Sequence, residues 1–223
     1  MTGPSPAPAP TSSDPYISYI HRFFHRWLPV YDWFARSIFW AYGAAVRCID
    51  PRPGLRILDV CTGTGEVALR CARRGAEVVG VDVTPEMLAR ARAKAARSGR
   101  TRGVRFETMD ARELRFPDGA FDVAVIAFAL HDMPRAVRLE VLREAARVSR
   151  GRLVVLDYGL PAAPLARRVA TALIGSFETA YFRAFAREGV EPLLEAAGVG
   201  SRPGSRRLRR LFPALFSVFE IEL

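Results

Sequence analysis

The sequence predicts an α/β chain in which a doubly wound, mostly parallel sheet of seven strands lies beneath a helical N-terminal lid. Three observations carry that expectation. From Pro51 onward, short apolar runs alternate with longer amphipathic stretches, the mark of βαβ units. The first apolar run flows into a glycine-rich turn, Cys61-Thr62-Gly63-Thr64-Gly65, which opens a helix. The acidic residues Asp59, Asp82 and Asp110 stand at the ends of the first three runs.

Residues 1–15, MTGPSPAPAPTSSDP, have the Pro, Ala and Ser content of a disordered tail. They lack the charged and apolar regions and the cleavage site of a signal peptide. Residues 16–50 form the expected lid: Tyr16 to Ile49 has few breakers and carries aromatic and aliphatic residues all round, as helices do when they are buried or cover a ligand. Pro29 predicts a break between two helices. Residues 51–223 hold the α/β domain. Arg56–Val60 reads as a strand, Gly65–Arg74 as a helix and Glu77–Val83 as a strand. Pro85–Ala96 reads as a helix with Thr84 at its N-cap and proline at its first position. Val104–Thr108, Phe121–Phe128 and Leu153–Asp157 read as strands, with a helix at Arg135–Val148. A helix near Thr171–Ala186, another at Val190–Ala197, and strands near Arg206–Leu211 and Leu215–Ile221 complete the pattern. No internal repeat is present.

With 223 residues the chain suits one α/β domain. Half of it is hydrophobic, yet no apolar run approaches the ~20 residues needed to cross a bilayer. These features predict a soluble, cytoplasmic protein. Cys48, Cys61 and Cys71 are an odd set without ligand spacing, which argues against disulfides and zinc. Lys94 is the only lysine among 33 basic residues, and Asn and Gln are absent. A GC-rich genome or selection against thermolabile amides accounts for that bias. A net charge of +10 still invites an anionic partner.

The chemistry concentrates around the glycine turn. Glycines there let a ligand approach the backbone closely. Asp82 ends the second strand 17 residues after Gly65, where a carboxylate can accept from both hydroxyls of a ribose. Any adenosine cofactor fits that description, and Gly63-Thr-Gly65-Glu-Val-Ala68 also satisfies the dinucleotide fingerprint. Asp59 opposes a dinucleotide, because a carboxylate before the turn repels pyrophosphate but suits the cationic amino-acid end of S-adenosylmethionine. Asp110, in Glu107-Thr-Met-Asp110-Ala111, is placed to accept from an adenine amino group.

Over Ile57 to Pro161 the sequence resembles the class I S-adenosylmethionine-dependent methyltransferases of the methyltransferase 11 group. It is most similar to the ubiquinone/menaquinone biosynthesis C-methyltransferases. The resemblance rests on LDVCTGTGEVAL, VVGVDVTPEMLARAR, VRFETMDARELRFPDGAFDVAVIAFALHDMP and GRLVVLDYGLP. It implies the Rossmann-like methyltransferase fold and places cofactor contacts at Thr64, Asp82, Asp110, Ala111 and Ala127. Ala127 departs from the family's serine and offers only backbone. Tyr31-Asp32 resembles the family's Tyr-Asp pair, in a segment that helps to cover the cofactor. The full expected cofactor wall is Tyr31, Asp59, Cys61, Thr62, Gly63, Thr64, Gly65, Asp82, Val83, Met87, Met109, Asp110, Ala111 and Ala127.

Methyl transfer from a sulfonium needs an in-line nucleophile, a dry pocket and, for weak nucleophiles, a base. The candidates are His131 and Asp132, just past the fourth strand, where ligands of open α/β sheets lie. His131 can take a proton from a hydroxyl acceptor with Asp132 or Asp157 orienting it, or it can simply pack beneath the cofactor. His21 and His25 share a helical face without a third ligand, and no metal site is expected. Arg206, Arg207, Arg209 and Arg210, with Trp27, Trp33, Phe34, Phe39 and Trp40, suit an anionic membrane surface; a solvated arginine face explains the arginines equally well. No nucleic-acid-binding motif is present.

The sequence therefore predicts methyl transfer from S-adenosylmethionine, releasing S-adenosylhomocysteine, to a small or lipid-like acceptor such as a quinone precursor. N-methylation of a phospholipid or small amine, and a non-catalytic cofactor-binding module, are the alternatives.

Overall fold

The computed structural model describes residues 14–99, 103–211 and 215–223, with side chains except at 28–37 and 39. Two helices come first, α1 (Pro15–Ser37) and α2 (Phe39–Ile49). Strand β1 (Arg56–Val60) is buried from Ile57 onward, as a strand covered on both faces should be. There follow α3 (Glu66–Ala72), β2 (Glu77–Asp82), α4 (Pro85–Ser98), β3 (Val104–Thr108) and β4 (Phe121–Ala127). A short 3-10 turn at Leu130–Asp132 leads into α5 (Arg135–Arg147) and β5 (Ser149–Tyr158). The chain ends with α6 (Pro164–Ile174), α7 (Phe182–Glu188), α8 (Val190–Ala197), β6 (Arg206–Leu211) and β7 (Phe216–Glu222).

The seven strands run in the order β3-β2-β1-β4-β5-β7-β6. Strands β1 to β5 are parallel, and β7 lies antiparallel between β5 and β6. Strand order reverses between β1 and β4, so right-handed crossovers send successive helices to opposite faces. Accordingly α2 packs on α3, and α5 packs on α8. The reversal opens a crevice beyond the carboxyl ends of β1 and β4, the switch point where ligands of such sheets bind. Its floor is rigid, since Val60, Val125 and Ile126 are wholly buried.

Several boundaries differ from the sequence reading. Helix α1 runs through Pro29, and the break falls at Ile38 (φ −106°, ψ 17°). A proline's φ is already helical and forfeits only one backbone donor. The break falls instead where α2 turns to dock against α3 and β5. Within residues 16–50, α2 is thus part of the sandwich, and α1 alone lies over the crevice. The helix expected near Thr171–Ala186 is two helices, α6 and α7. Gly175 ends the first, and the turn that follows carries Glu178 and Thr179 inward, with Thr179 only 2% exposed. Thr84 is an N-cap by backbone geometry without a side-chain capping bond. Strand β6 is an edge, and its arginines face mostly outward; charge on an edge strand blocks further pairing. Among the described residues no helix is long and apolar enough to cross a membrane.

Candidate cofactor and acceptor site

The turn after β1 is shaped by left-handed backbone at Cys61 (φ 56°), Gly63 (φ 53°) and Gly65 (φ 81°). A Cβ on Gly65 would come within 3.1 Å of the Phe106 ring and 3.2 Å of Ala91 Cβ, so the helix start packs closely because it is bare. Cys61 and Phe128 (φ 53°) both hold a conformation unfavourable for side-chain-bearing residues, just past the adjacent ends of β1 and β4.

The acidic residues hold this turn in place. Asp59, 2% exposed, accepts through Oδ2 from Thr62 Oγ1 at 2.6 Å and Ala68 N at 3.0 Å. Burial pushes its carboxyl up to about 7, against the lowering effect of those bonds. Asp82 accepts from Gly63 N at 2.8 Å and Thr84 N at 2.9 Å, tying the turn to the end of β2; burial raises its pKa despite them. Thr64 is turned away and accepts from Lys94 Nζ at 2.8 Å. Asp110 receives the guanidinium fork of Arg112, whose Nη2 lies 2.6 Å from both Asp110 and Asp14. Asp14 caps α1, and His21 Nε2 lies 2.9 Å from Val83 O, so α1 is fastened across the crevice at two points.

Beneath α1 is a narrow cleft enclosing about 60 Å³. Tyr16, Ile20 and Phe24 form its roof; Cys61, Gly63, Asp82, Val83, Thr84 and Met87 form one wall. Phe128, Ala129, Asp132 and Met133 form the other. The cleft is electronegative. Burial first, then the carboxylates of Asp82, Asp110, Asp59 and Asp132, push the Cys61 thiol well above its ordinary value.

Behind the second wall lies a buried polar cluster. Asp157, fully buried, accepts from Leu130 N at 3.0 Å, Tyr158 N at 2.8 Å and, at 2.7 Å, the Nδ1 of His131. His131 Nε2 is 3.4 Å from Asp132 Oδ2 and 3.5 Å from Glu178 Oε2. The Tyr158 hydroxyl donates to Glu178 Oε1 at 2.5 Å. Burial works against charge on His131, but Asp132 and Asp157 outweigh it and hold the imidazole well above its ordinary pKa. Burial pushes Asp132 up to about 7, opposed by His131. Glu178 stays low, because His131 and Tyr158 overcome its burial.

The structure thus brings Cys61, Gly63, Asp82, Val83, Met87 and Asp132 to the cleft. It does not bring Asp59, Thr62, Thr64 or Gly65 to the wall: they build the turn from inside. Met109 and Ala111 are buried in the core, Asp110 is committed to Arg112, and Ala127 is the last residue of β4. His131 stands behind Asp132 instead of facing the cleft, and its orienting partner is Asp157. His21 Nε2 ties α1 to Val83 O. The side chains of Tyr31, Trp33, Phe34 and Phe39 lie outside the described residues. Sequence reasoning missed Tyr16, Ile20 and Phe24, whose spacing along one helical face was a usable signal. It also missed Glu178, which the turn between α6 and α7 delivers from 46 positions after Asp132.

Residues 57–151 match the family described as methyltransferase domain. A demethylmenaquinone methyltransferase of Thermus thermophilus is 45% identical over 132 residues, 57% of this chain and 58% of that protein. The chain spans about half the length of the curated relatives it matches. A solved structure of a SAM-dependent methyltransferase from Thermotoga maritima, described as a possible histamine N-methyltransferase, superposes with TM-score 0.64 at 21% identity. That match covers 90% of this chain and 98% of the other. The [4+2]-cyclase SpnF matches with TM-score 0.59 and 26% identity, over 71% of this chain and 64% of that one. Residues 57–151 thus resemble a methyltransferase domain, and the chain has the fold of solved S-adenosylmethionine-dependent methyltransferases.

Proposed function

We propose that this methyltransferase-domain chain transfers the methyl group of S-adenosylmethionine to carbon or oxygen of a quinone precursor or a similar lipid-like aromatic. The observation that supports it most is the cleft at the β1/β4 switch point, where an acidic wall faces Asp132 beneath an aromatic roof. The residues suit the cofactor's chemistry: a bare turn admits an adenosine closely, and an electronegative wall favours a sulfonium while repelling pyrophosphate. When bound, S-adenosylmethionine supplies an electrophilic methyl group. Asp82, at the end of β2, would accept from the ribose hydroxyls, and the Tyr16, Ile20 and Phe24 roof would keep water from the methyl group.

Asp132 is the group at the cleft that can take a proton from a hydroxyl acceptor. Its pKa, raised to about 7 by burial, suits a base working near neutrality, and His131 behind it stabilises the charged form. Quinone chemistry is favoured by the 45% identity over 132 residues to the demethylmenaquinone methyltransferase of Thermus thermophilus.

A membrane-borne acceptor is supported by α6, where Leu165, Val169, Leu173 and, just beyond it, Phe177 recur every fourth residue and are exposed. Arg167 and Arg168 lie in the same helix. Such a stripe suits peripheral contact with an anionic bilayer.

Calorimetry with S-adenosylmethionine, S-adenosylhomocysteine and NAD tests the cofactor reading. Micromolar affinity for the sulfur nucleosides and none for NAD is expected; the reverse would overturn it. Mass spectrometry of a naphthoquinol incubated with enzyme and cofactor tests the acceptor, with a gain of one methyl expected. An amine methylated in its place would establish N-methyl transfer.

A further inference from the structure

We propose that His131 Nε2, Asp132 and Glu178 form a binding site for one divalent first-row transition-metal ion at the inner edge of the cleft. One donor atom from each of the three lies within 4.8 Å of the others. His131 Nε2 stands 3.4 Å from Asp132 Oδ2 and 3.5 Å from Glu178 Oε2. Those are the separations of ligands around an ion: bonds of about 2.0–2.2 Å in tetrahedral geometry set donors about 3.3–3.6 Å apart.

The outer partners agree. Asp157 fixes Nδ1 at 2.7 Å, so a neutral imidazole carries its proton on Nδ1 and turns the Nε2 lone pair towards two carboxylates. Lone pairs facing one another in a buried place require a cation between them, either a proton or a metal ion. A carboxylate–histidine pair of this kind orients the imidazole in metal centres. The Tyr158 hydroxyl occupies Glu178 Oε1 and leaves Oε2 for the ion.

One further observation bears on coordination. Among the described residues, Asp132 Oδ1 and Thr179 Oγ1 are buried beside one another and neither completes a well-formed hydrogen bond, so the Asp132 carboxylate is free to turn towards an ion.

Three protein ligands leave a further position, and Asp132 lines the cleft, so an acceptor hydroxyl oxygen can complete the shell when the ion is bound, whereas Asp132 acts as a base only in the metal-free protein. That consequence rests on the proposed methyl transfer; binding of the ion does not.

The test is titration of the intact, chelator-stripped protein with Co²⁺, followed by visible absorption and by the imidazole proton resonances. One Co²⁺ per chain should bind, compete with Zn²⁺, raise the Tm and shift His131 before His21 or His25. Asp132→Asn and Glu178→Gln should each weaken binding at least tenfold, and Asp157→Asn about 10–100-fold, while His25→Ala changes nothing. Absence of Co²⁺ binding at millimolar concentration, or a first shift at His21 or His25, would overturn the site; the wild-type spectra decide even if a variant misfolds. Methyl transfer by a protein that binds no metal would refute the metal site alone. Metal binding without methyl transfer would refute only the proposed reaction.

Discussion

Replacing Asp157 by asparagine isolates the role of the buried cluster. In the wild type, Oδ2 receives Leu130 N at 3.0 Å, while Oδ1 receives Tyr158 N at 2.8 Å and His131 Nδ1 at 2.7 Å. Whichever way the amide sits, its NH2 group confronts N–H donors on one side. One or two buried donors are orphaned, at about 1–3 kcal/mol each, so a loss of roughly 2–5 kcal/mol is expected. Against a total stability of about 5–15 kcal/mol, the variant should still fold. The loss should also depend on pH. The folded pKa of His131 lies well above its ordinary 6.5, so its stabilisation is fully present below pH 6.5 and disappears as pH rises through the folded value. Asp157→Asn should therefore cost most below pH 6.5 and progressively less above it. Urea unfolding followed by circular dichroism from pH 5.5 to 9 measures the loss, and proton NMR follows His131 among only three histidines. A loss below 1 kcal/mol, or a His131 pKa unmoved by the substitution, would refute the electrostatic account.

Three further outcomes follow from the geometry. Asp132→Asn should lower kcat about 10²–10⁴-fold and abolish a limb in which rate rises with pH through about 7, while cofactor affinity stays within threefold; an unchanged pH profile would remove Asp132 as base. Asp82→Ala should weaken S-adenosylhomocysteine binding by roughly 2–4 kcal/mol, read by calorimetry, because it removes both a ribose acceptor and the tie to Gly63 N. Gly65→Ala should cost about 2–4 kcal/mol in urea unfolding, from left-handed strain of roughly 1–2 kcal/mol and crowding against Phe106 and Ala91; neutrality would contradict the close packing.

Much of this molecule is written locally. The strand at Arg56–Val60, the bare turn with Gly63 and Gly65, and the acid at Asp82 are legible because alternation, glycine and strand-end position are properties of neighbouring residues. The sheet's direction follows from them, since a helix between two strands forces a parallel pair. Local sequence does not say how a side chain is spent once the chain closes. Asp59, Thr64 and Asp110 all look like ligand-facing residues, yet folding turns them to Ala68, Lys94 and Arg112. A carboxylate or hydroxyl serves a neighbouring backbone or cation by the same chemistry that serves a ligand, and only three-dimensional distance distinguishes the two. His131 was visible as a single residue; its meaning depends on Asp157 and Glu178, 26 and 47 positions away. Their encounter is decided by the packing of β5 beside β4 and by the turn that Gly175 allows, which is why the cluster at the edge of the cleft belongs to the tertiary structure alone.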